Sequence, residues 1–395
     1  MKKITKTDLA AFGENTRLVV GGRDPAAQHG FVNPPVYHGS TVLAPTVKDL
    51  IGRTQKYVYG RRGTPTSEAL EEALAAVEGA AGVVLCPSGL SAVTTALLSC
   101  LSAGDHLLMT DSAYGPTRHA CDAVLGRFGI ETTYYDPRIG GDIAGLMRPN
   151  TRAVYLESPG SLTFEVQDVP AIAAAAHARG ATVLLDNTWA TPLFFKAHAH
   201  GVDLAIQAGT KYIVGHSDAM FGTISAAASA WPRLKAFHGD TGLCAGPDDI
   251  YLAMRGLRSM GVRLRQHQES GLAVARWLAA RSEVQRVLHP ALPGDPGHAL
   301  WQRDFTGASG LFALVLTPAP EAAVEAFLDG LKLFGLGYSW GGFESLAIPF
   351  DASPYRTASA WNPGGPCVRL HIGLEDVADL IRDLEEGLER FRRAS

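Results

Sequence analysis

The chain has 395 residues, too many for one small core and enough for a large domain with a smaller companion. Hydrophobic residues make up 46% and charged residues 19%, a globular balance, and a net charge of −4 provides no basic surface for nucleic acid. The N-terminus has no apolar core of a signal peptide, and the most apolar stretch, 82–101, is interrupted by Pro87 and Gly89, which argues against a membrane span.

Residues 1–60 are mixed in character, with Pro34, Pro35 and Pro45 among short apolar groups, and read as an extended N-terminal arm. A large domain is expected over 61–256. Its first helix covers Glu68–Glu78, rich in Ala, Leu and Glu, with Thr66 or Ser67 as the cap. Seven apolar runs follow: 82–86, 106–110, 132–136, 153–157, 182–186, 204–208 and 218–226. Ala-rich stretches at 88–102, 115–128 and 170–180 separate several of them. Continuous apolar strands alternating with helices predict an α/β fold, its sheet mainly parallel and buried on both faces. Beyond residue 256 the texture changes. Arg255, Arg258, Arg263, Arg265 and Arg276 lie along a long helix. A turn-rich segment (289–298), strands at 310–316, 345–350 and 367–372, and helices at 319–330 and 375–393 then predict a smaller α+β domain over 257–395. The five cysteines form no CxxC pair and read as reduced thiols of a cytoplasmic protein. His216 and Asp218 have no second ligand cluster at metal-binding spacing, so no metal is expected.

The polar residues of interest sit just past these runs, where open parallel sheets bind ligands. Lys211 follows the sixth run in Gly209-Thr210-Lys211-Tyr212. It reads either as a surface lysine or, desolvated in a cleft, as an amine able to form a Schiff base with a carbonyl cofactor. Asp186 ends the fifth run. It fits a helix cap, or a carboxylate that holds a pyridine nitrogen protonated. Ser88-Gly89-Leu90 opens a helix, where backbone N–H groups and a glycine suit a phosphate, with the Thr210 hydroxyl as a possible helper. Tyr114 could stack on a ring or simply be buried. Tyr59 and Arg61 suit a phosphate or plain solvent. Arg369, on an apolar strand, requires a partner, either a substrate carboxylate or an internal acid.

Taken together, YGRRGTPT (59–66), PSGLSA (87–92), DSAYGPT (111–117), ESPGS (157–161), DNTWATP (186–192), GTKYIVGHSD (209–218), YSWGGFESL (338–346) and VRLHIGLED (368–376) resemble the Cys/Met-metabolism family of pyridoxal-phosphate (PLP) enzymes, in family order. The resemblance implies the aspartate-aminotransferase-like PLP fold type I. It implies that Lys211 carries PLP as an imine, Asp186 pairs with the pyridine nitrogen and Tyr114 stacks on the ring. Ser88, the backbone amides of Gly89 and Leu90, and Thr210 would hold the phosphate. Tyr59 and Arg61 would reach the phosphate of a neighbouring subunit, so the chain would form at least a dimer, with a tetramer usual for the family. Arg369 would bind the substrate α-carboxylate, assisted by Ser339. Two positions depart from the common pattern: Leu90 stands where many members have Met, and Ala208 where many have Ser. The segment around Trp340 is similar to that of bacterial cystathionine β-lyases, with Trp340 narrowing the substrate site. The implied activity is β-cleavage of the sulfur amino acid cystathionine to homocysteine, pyruvate and ammonia. Cystathionine γ-lyase, methionine γ-lyase and cystathionine γ-synthase are the neighbouring alternatives. A non-catalytic PLP-binding regulator is disfavoured because no helix-turn-helix or basic segment flanks the domain.

Overall fold

The computed structural model describes residues 4–395. Its larger sheet contains β1 (Gly82–Cys86), β2 (His106–Thr110), β3 (Glu131–Tyr135), β4 (Thr151–Glu157), β5 (Thr182–Asp186), β6 (Leu204–Gln207) and β7 (Gly222–Ala226). The order is β1-β7-β6-β5-β4-β2-β3, and only β7 runs antiparallel to its neighbours. All seven expected strands are present. Their unbroken apolar character follows from cover on both faces. Leu108, Val154, Leu156, Val183 and Leu185 pack toward the helix Val169–His177. Leu107, Met109, Tyr155, Leu184 and Ile206 pack toward the helix Gly89–Cys100. The expected helix over 115–128 is instead Gly115–Ala120 followed by a π-helical and then a 3-10 turn.

The first long helix begins at Pro65, earlier than expected, and its cap is Thr64 rather than Thr66 or Ser67. Pro65 explains the shift: its fixed φ and missing N–H suit the first helical position. The Thr64 hydroxyl accepts from the Ser67 N–H, while the Ser67 hydroxyl accepts from the Thr64 N–H. Thr66 then serves the arm, accepting from the Tyr37 N–H (2.9 Å) and donating to the Pro35 carbonyl (2.9 Å). The arm is also less extended than its composition suggested. It holds short helices at Glu14–Val20 and Val47–Gly52, and Leu18 is buried against the helix from Pro65. Phe31, Leu43 and Ile51, by contrast, are 72%, 84% and 78% exposed.

The smaller sheet has β8 (Val284–Leu288), β9 (Leu311–Leu316), β10 (Gly335–Leu336), β11 (Leu346–Phe350) and β12 (Cys367–His371), in the order β10-β11-β12-β9-β8. Two of these strands were not anticipated. β8 carries Gln285 and Arg286 on its exposed side, and β10 is two residues long. The C-terminal helix Val377–Ala394 buries Leu380, Leu384, Leu388 and Phe391, a helical stripe against this sheet.

One helix, Pro247–Ala279, runs through residue 256, where composition had suggested a division. Its first half, with Leu257 and Leu264, belongs to the large-domain core. Its second half, with Val274 and Leu278, belongs to the small-domain core. Gly256 lies where this helix meets the segment after Lys211. A Cβ at that position would overlap the carbonyl oxygens of Ile213 and Val214. Those oxygens are backbone and cannot rotate away. Gly256→Ala is therefore expected to cost about 1–3 kcal/mol, read as a lower urea midpoint with an unchanged slope.

Candidate active site

Strand register builds the floor of the site. β4 and β5 are parallel with Glu157 opposite Asp186, so two carboxyl groups leave the sheet side by side. Asp186 accepts from the Thr188 N–H at 3.0 Å and from the Thr188 hydroxyl. The same hydroxyl accepts from the Ala208 N–H at 2.9 Å, which ties the end of β5 to the segment that leads to Lys211. Glu157 accepts from the Tyr114 N–H at 2.8 Å and so anchors the turn that carries the Tyr114 ring. Burial raises the Asp186 carboxyl despite the Thr188 bonds and the nearby Lys211. Burial and then Asp186 push Glu157 well above the usual carboxylate range. Two such groups side by side do not both ionise readily, so Glu157 is the protonated member and Asp186 the one prepared to meet a cation.

Lys211 projects from the other side. Its ammonium lies 2.9 Å from the Ser339 hydroxyl and 5.4 Å from the centre of the Trp340 ring. Gly341, at φ +83°, packs directly on the Lys211 backbone, where a Cβ would stand only 3.0 Å away. Burial, then the positive charge of Arg369, lowers the lysine to about 8, with Asp186 opposing. Arg369 is itself 8% exposed and pushed down to about 10 by burial. Its Nη2 donates to the carbonyls of Tyr338 (2.9 Å) and Ser339 (3.2 Å). Among the described residues no carboxylate pairs with it. The internal-acid alternative for Arg369 therefore does not hold, and a desolvated guanidinium remains for an external carboxylate. Tyr114, a residue 49% exposed, feels Glu157, Arg369 and Asp186 together. Burial and Glu157 raise its hydroxyl, so it stays protonated at neutral pH.

The helix Gly89–Cys100 starts against Ala208: a Cβ on Gly89 would meet the Ala208 methyl at 2.6 Å. Its cap Ser88 accepts from the Ser91 N–H, and the Ser88 carbonyl from the Ala92 N–H. The N–H groups of Gly89 and Leu90, which have no partner within a helix, are left for an anion. Thr210 is less available than expected. Its hydroxyl donates to the Phe221 carbonyl (3.1 Å) and accepts from the Phe221 N–H (2.9 Å), so contact with a phosphate requires it to turn. Tyr59 and Arg61 are not brought to Lys211 or Asp186. Arg61 donates to the Gly239 carbonyl at 2.8 Å, against the helix Trp231–Asp240. Glu157, Thr188 and His371 were not singled out by sequence. His371 accepts the Gly341 N–H at 3.1 Å and so holds the loop bearing Ser339 and Trp340. Only Glu157 had a legible signal, an acid ending the strand beside that of Asp186.

A lowered lysine, an acid awaiting a cation, and free amides at a helix start suit PLP, whose aldehyde, ring nitrogen and phosphate match the three. The Cys/Met metabolism PLP-dependent enzyme family matches residues 15–389, and the chain belongs to that family. Pyridoxal phosphate is its cofactor. A Rhizobium johnstonii protein, provisionally named a cystathionine β-lyase, is 56% identical over 379 residues, covering 95% of this chain and 96% of that one. Cystathionine β-lyase of Escherichia coli is 45% identical over 388 residues, covering 95% and 98%. The crystal structure of cystathionine γ-synthase from Xanthomonas oryzae, in complex with aminoacrylate and cysteine, superimposes with a TM-score of 0.90 at 32% identity, covering 97% and 100%. The PLP fold type I architecture is thereby shown. Among the described residues no helix is long and apolar enough to cross a membrane.

The lowered lysine has a direct test. In cofactor-free protein, labelling of Lys211 by an amine-selective reagent should rise with pH around a midpoint of about 8, because only the neutral amine reacts. Peptide mass mapping across a pH series reads this, and a midpoint near the ordinary 10.5 would place the amine in bulk solvent.

Proposed function

We propose that the chain cleaves L-cystathionine to homocysteine, pyruvate and ammonia, as a PLP-dependent carbon–sulfur β-lyase of methionine biosynthesis. The observation that carries the reading is Lys211, lowered to about 8, beside a buried arginine without an acid. Bound PLP supplies an aldehyde for the substrate amine and a ring that draws negative charge from Cα. The residues of the chain do the rest. Arg369 receives the α-carboxylate, and Ser339, within hydrogen-bond reach of Lys211, lies beside it. Once its amine is free, Lys211 Nζ takes the Cα proton. Asp186 holds the proton on the ring nitrogen, and Thr188 fixes the Asp186 rotamer. The Cβ–S bond then breaks, with sulfur accepting a proton from Lys211 or the protonated Tyr114 hydroxyl and departing as homocysteine. Water converts the remaining three-carbon fragment to pyruvate and ammonia.

The Trp340 ring, 5.5 Å from that of Tyr212 and 5.4 Å from the Lys211 ammonium, narrows the cleft and serves in this reading as a marker of the β-lyase subgroup. Residues 1–60, 61–256 and 257–395 act as arm, cofactor domain and substrate-carboxylate domain, with Pro247–Ala279 shared by the latter two. The working form is a cytoplasmic homodimer or tetramer, in which Tyr59 and Arg61 reach the cofactor phosphate of the neighbouring subunit. Such an assembly would cover apolar side chains that the arm leaves exposed, among them Phe31, Leu43 and Ile51.

Borohydride reduction of the holoenzyme should fix the cofactor on the Lys211 peptide, and Lys211→Ala should lose both the PLP absorbance band and nearly all turnover. A reduced adduct mapped to any other residue would remove the basis for this assignment. Asp186→Ala should lower kcat by at least about 100-fold, a loss of transition-state charge stabilisation of about 2.7 kcal/mol, with a far smaller effect on thermal stability. Supplied with L-cystathionine, the enzyme should release pyruvate. Release of 2-oxobutyrate would indicate γ-cleavage instead.

A further inference from the structure

Between β11 and β12 the chain leaves the small sheet and runs across the large domain as a strap, residues 351–366. The strap ends on an acid. Asp111, one residue past β2, is 1% exposed, and its carboxylate is surrounded by donors from the strap. The N–H groups of Thr357 (3.0 Å), Ala358 (3.0 Å) and Ser359 (2.9 Å) all point at it, as do the hydroxyls of Thr357 and Ser359, both at 3.0 Å. Arg118 closes the shell: Nη1 lies 3.0 Å from the carboxylate, and Nη2 donates to the Thr357 hydroxyl at 3.1 Å. Next to this grip, Arg356 pairs with Glu165 at 2.6 Å, and the Tyr355 ring covers Gly115.

A carboxylate buried this deeply is stable only because so many donors converge on it. Apart from Arg118, those donors come from a segment some 246 residues away in sequence. The two ends of the grip both lead to the site. Asp111 lies three residues before Tyr114, and Arg369 is the third residue of the strand that follows the strap. A hydrogen-bonded shell of this kind has one favoured geometry, unlike the apolar contacts elsewhere between the two domains.

We propose that Asp111 is a positioning residue for substrate binding: by gripping residues 357–359 it sets Arg369 of the small domain in register with Tyr114 of the large one. The inference rests on the reading of Arg369 as the α-carboxylate receptor. Asp111 touches neither substrate nor cofactor, so its effect belongs on KM.

Four holoenzymes test this with L-cystathionine: wild type, Asp111→Asn, Arg369→Ala and the double variant. Asp111→Asn keeps the side-chain shape but turns an amide N–H toward donors. It should raise KM by about tenfold, equivalent to about 1.4 kcal/mol, with kcat within about threefold. Its PLP absorbance should be unchanged, and the amides of 357–359 should exchange hydrogen faster. Arg369→Ala should raise KM while leaving that exchange at the wild-type rate. Because Asp111 acts through Arg369, the double variant should be no worse than Arg369→Ala alone. A purely structural role would give additive losses, and additivity would overturn the proposal, as would a wild-type KM in Asp111→Asn. An unchanged KM in Arg369→Ala would instead remove the underlying reading of the carboxylate receptor. Should Asp111→Asn fail to fold, Thr357→Val with Ser359→Ala removes two of the hydroxyl donors and leaves the carboxylate in place. A several-fold rise in KM is then expected, and no rise would likewise refute the assignment.

Discussion

Two cationic groups, Lys211 and Arg369, buried close together are costly to keep charged at once, and this cost organises the site. Burial strips water from a protonated Lys211, the nearby charge of Arg369 raises its energy further, and Asp186 offsets only part of this. The result is an amine that gives up its proton near neutral pH. The same arginine donates to the carbonyls of Tyr338 and Ser339 and, among the described residues, has no carboxylate partner. In the mechanism proposed above, this desolvated pair supplies both a base and a carboxylate receptor, and a substrate carboxylate would relieve the repulsion on binding.

The acidic side of the cleft follows the complementary logic. Glu157 and Asp186 are adjacent because parallel strands in register place their last residues adjacent. Burial raises both carboxyls, and the charge of Asp186 raises Glu157 further, so the pair favours a single charge. Thr188 directs that charge to Asp186 with two hydrogen bonds, and Glu157 uses an oxygen to hold the Tyr114 turn. The acid that stays neutral does mechanical work, and the ionised one does the electrostatic work.

Much of this was legible in the linear chain, for an identifiable reason. A sheet covered on both faces writes itself as unbroken apolar runs, and the residue after each run points to the open end where ligands bind. Lys211, Asp186 and Tyr114 stand out that way, Arg369 stands out as a charge on an apolar strand, and the ordered motifs then add Ser339. What escaped depended on partners far away in sequence. Asp111 reads as an ordinary turn acid until residues 357–359 are placed on it. The Thr210 hydroxyl reads as a phosphate ligand until Phe221 is seen to occupy it. Thr66, like Ser67, reads as a helix cap from its neighbours, which do not reveal its bonds to Pro35 and Tyr37. β8 was missed because its polar face breaks the apolar pattern on which the other strands were recognised.

The cleft lies where two cores meet, and this explains why polar bonds matter so much to it. The cofactor-side residues stand on the seven-stranded sheet, while Arg369, Ser339 and Trp340 belong to the smaller unit. Apolar packing within each core is dense but does not define how one core is turned against the other, since such contacts have little directional preference. The helix Pro247–Ala279 supplies a stiff connection by contributing to both cores, yet a helix alone constrains mainly its own axis. Directional contacts across the junction supply the remaining constraints. The Trp189 indole N–H donates to the Leu311 carbonyl at 2.8 Å, the Tyr212 hydroxyl accepts from the Gly310 N–H at 3.2 Å, and Asp111 receives the strap. Each joins a residue near a cofactor-side strand end to a small-domain segment. In the proposed mechanism, a substrate gripped by its carboxylate from one domain and processed by a lysine from the other requires such cross-ties, because an error of about 1 Å between the two would cost about 100-fold in rate.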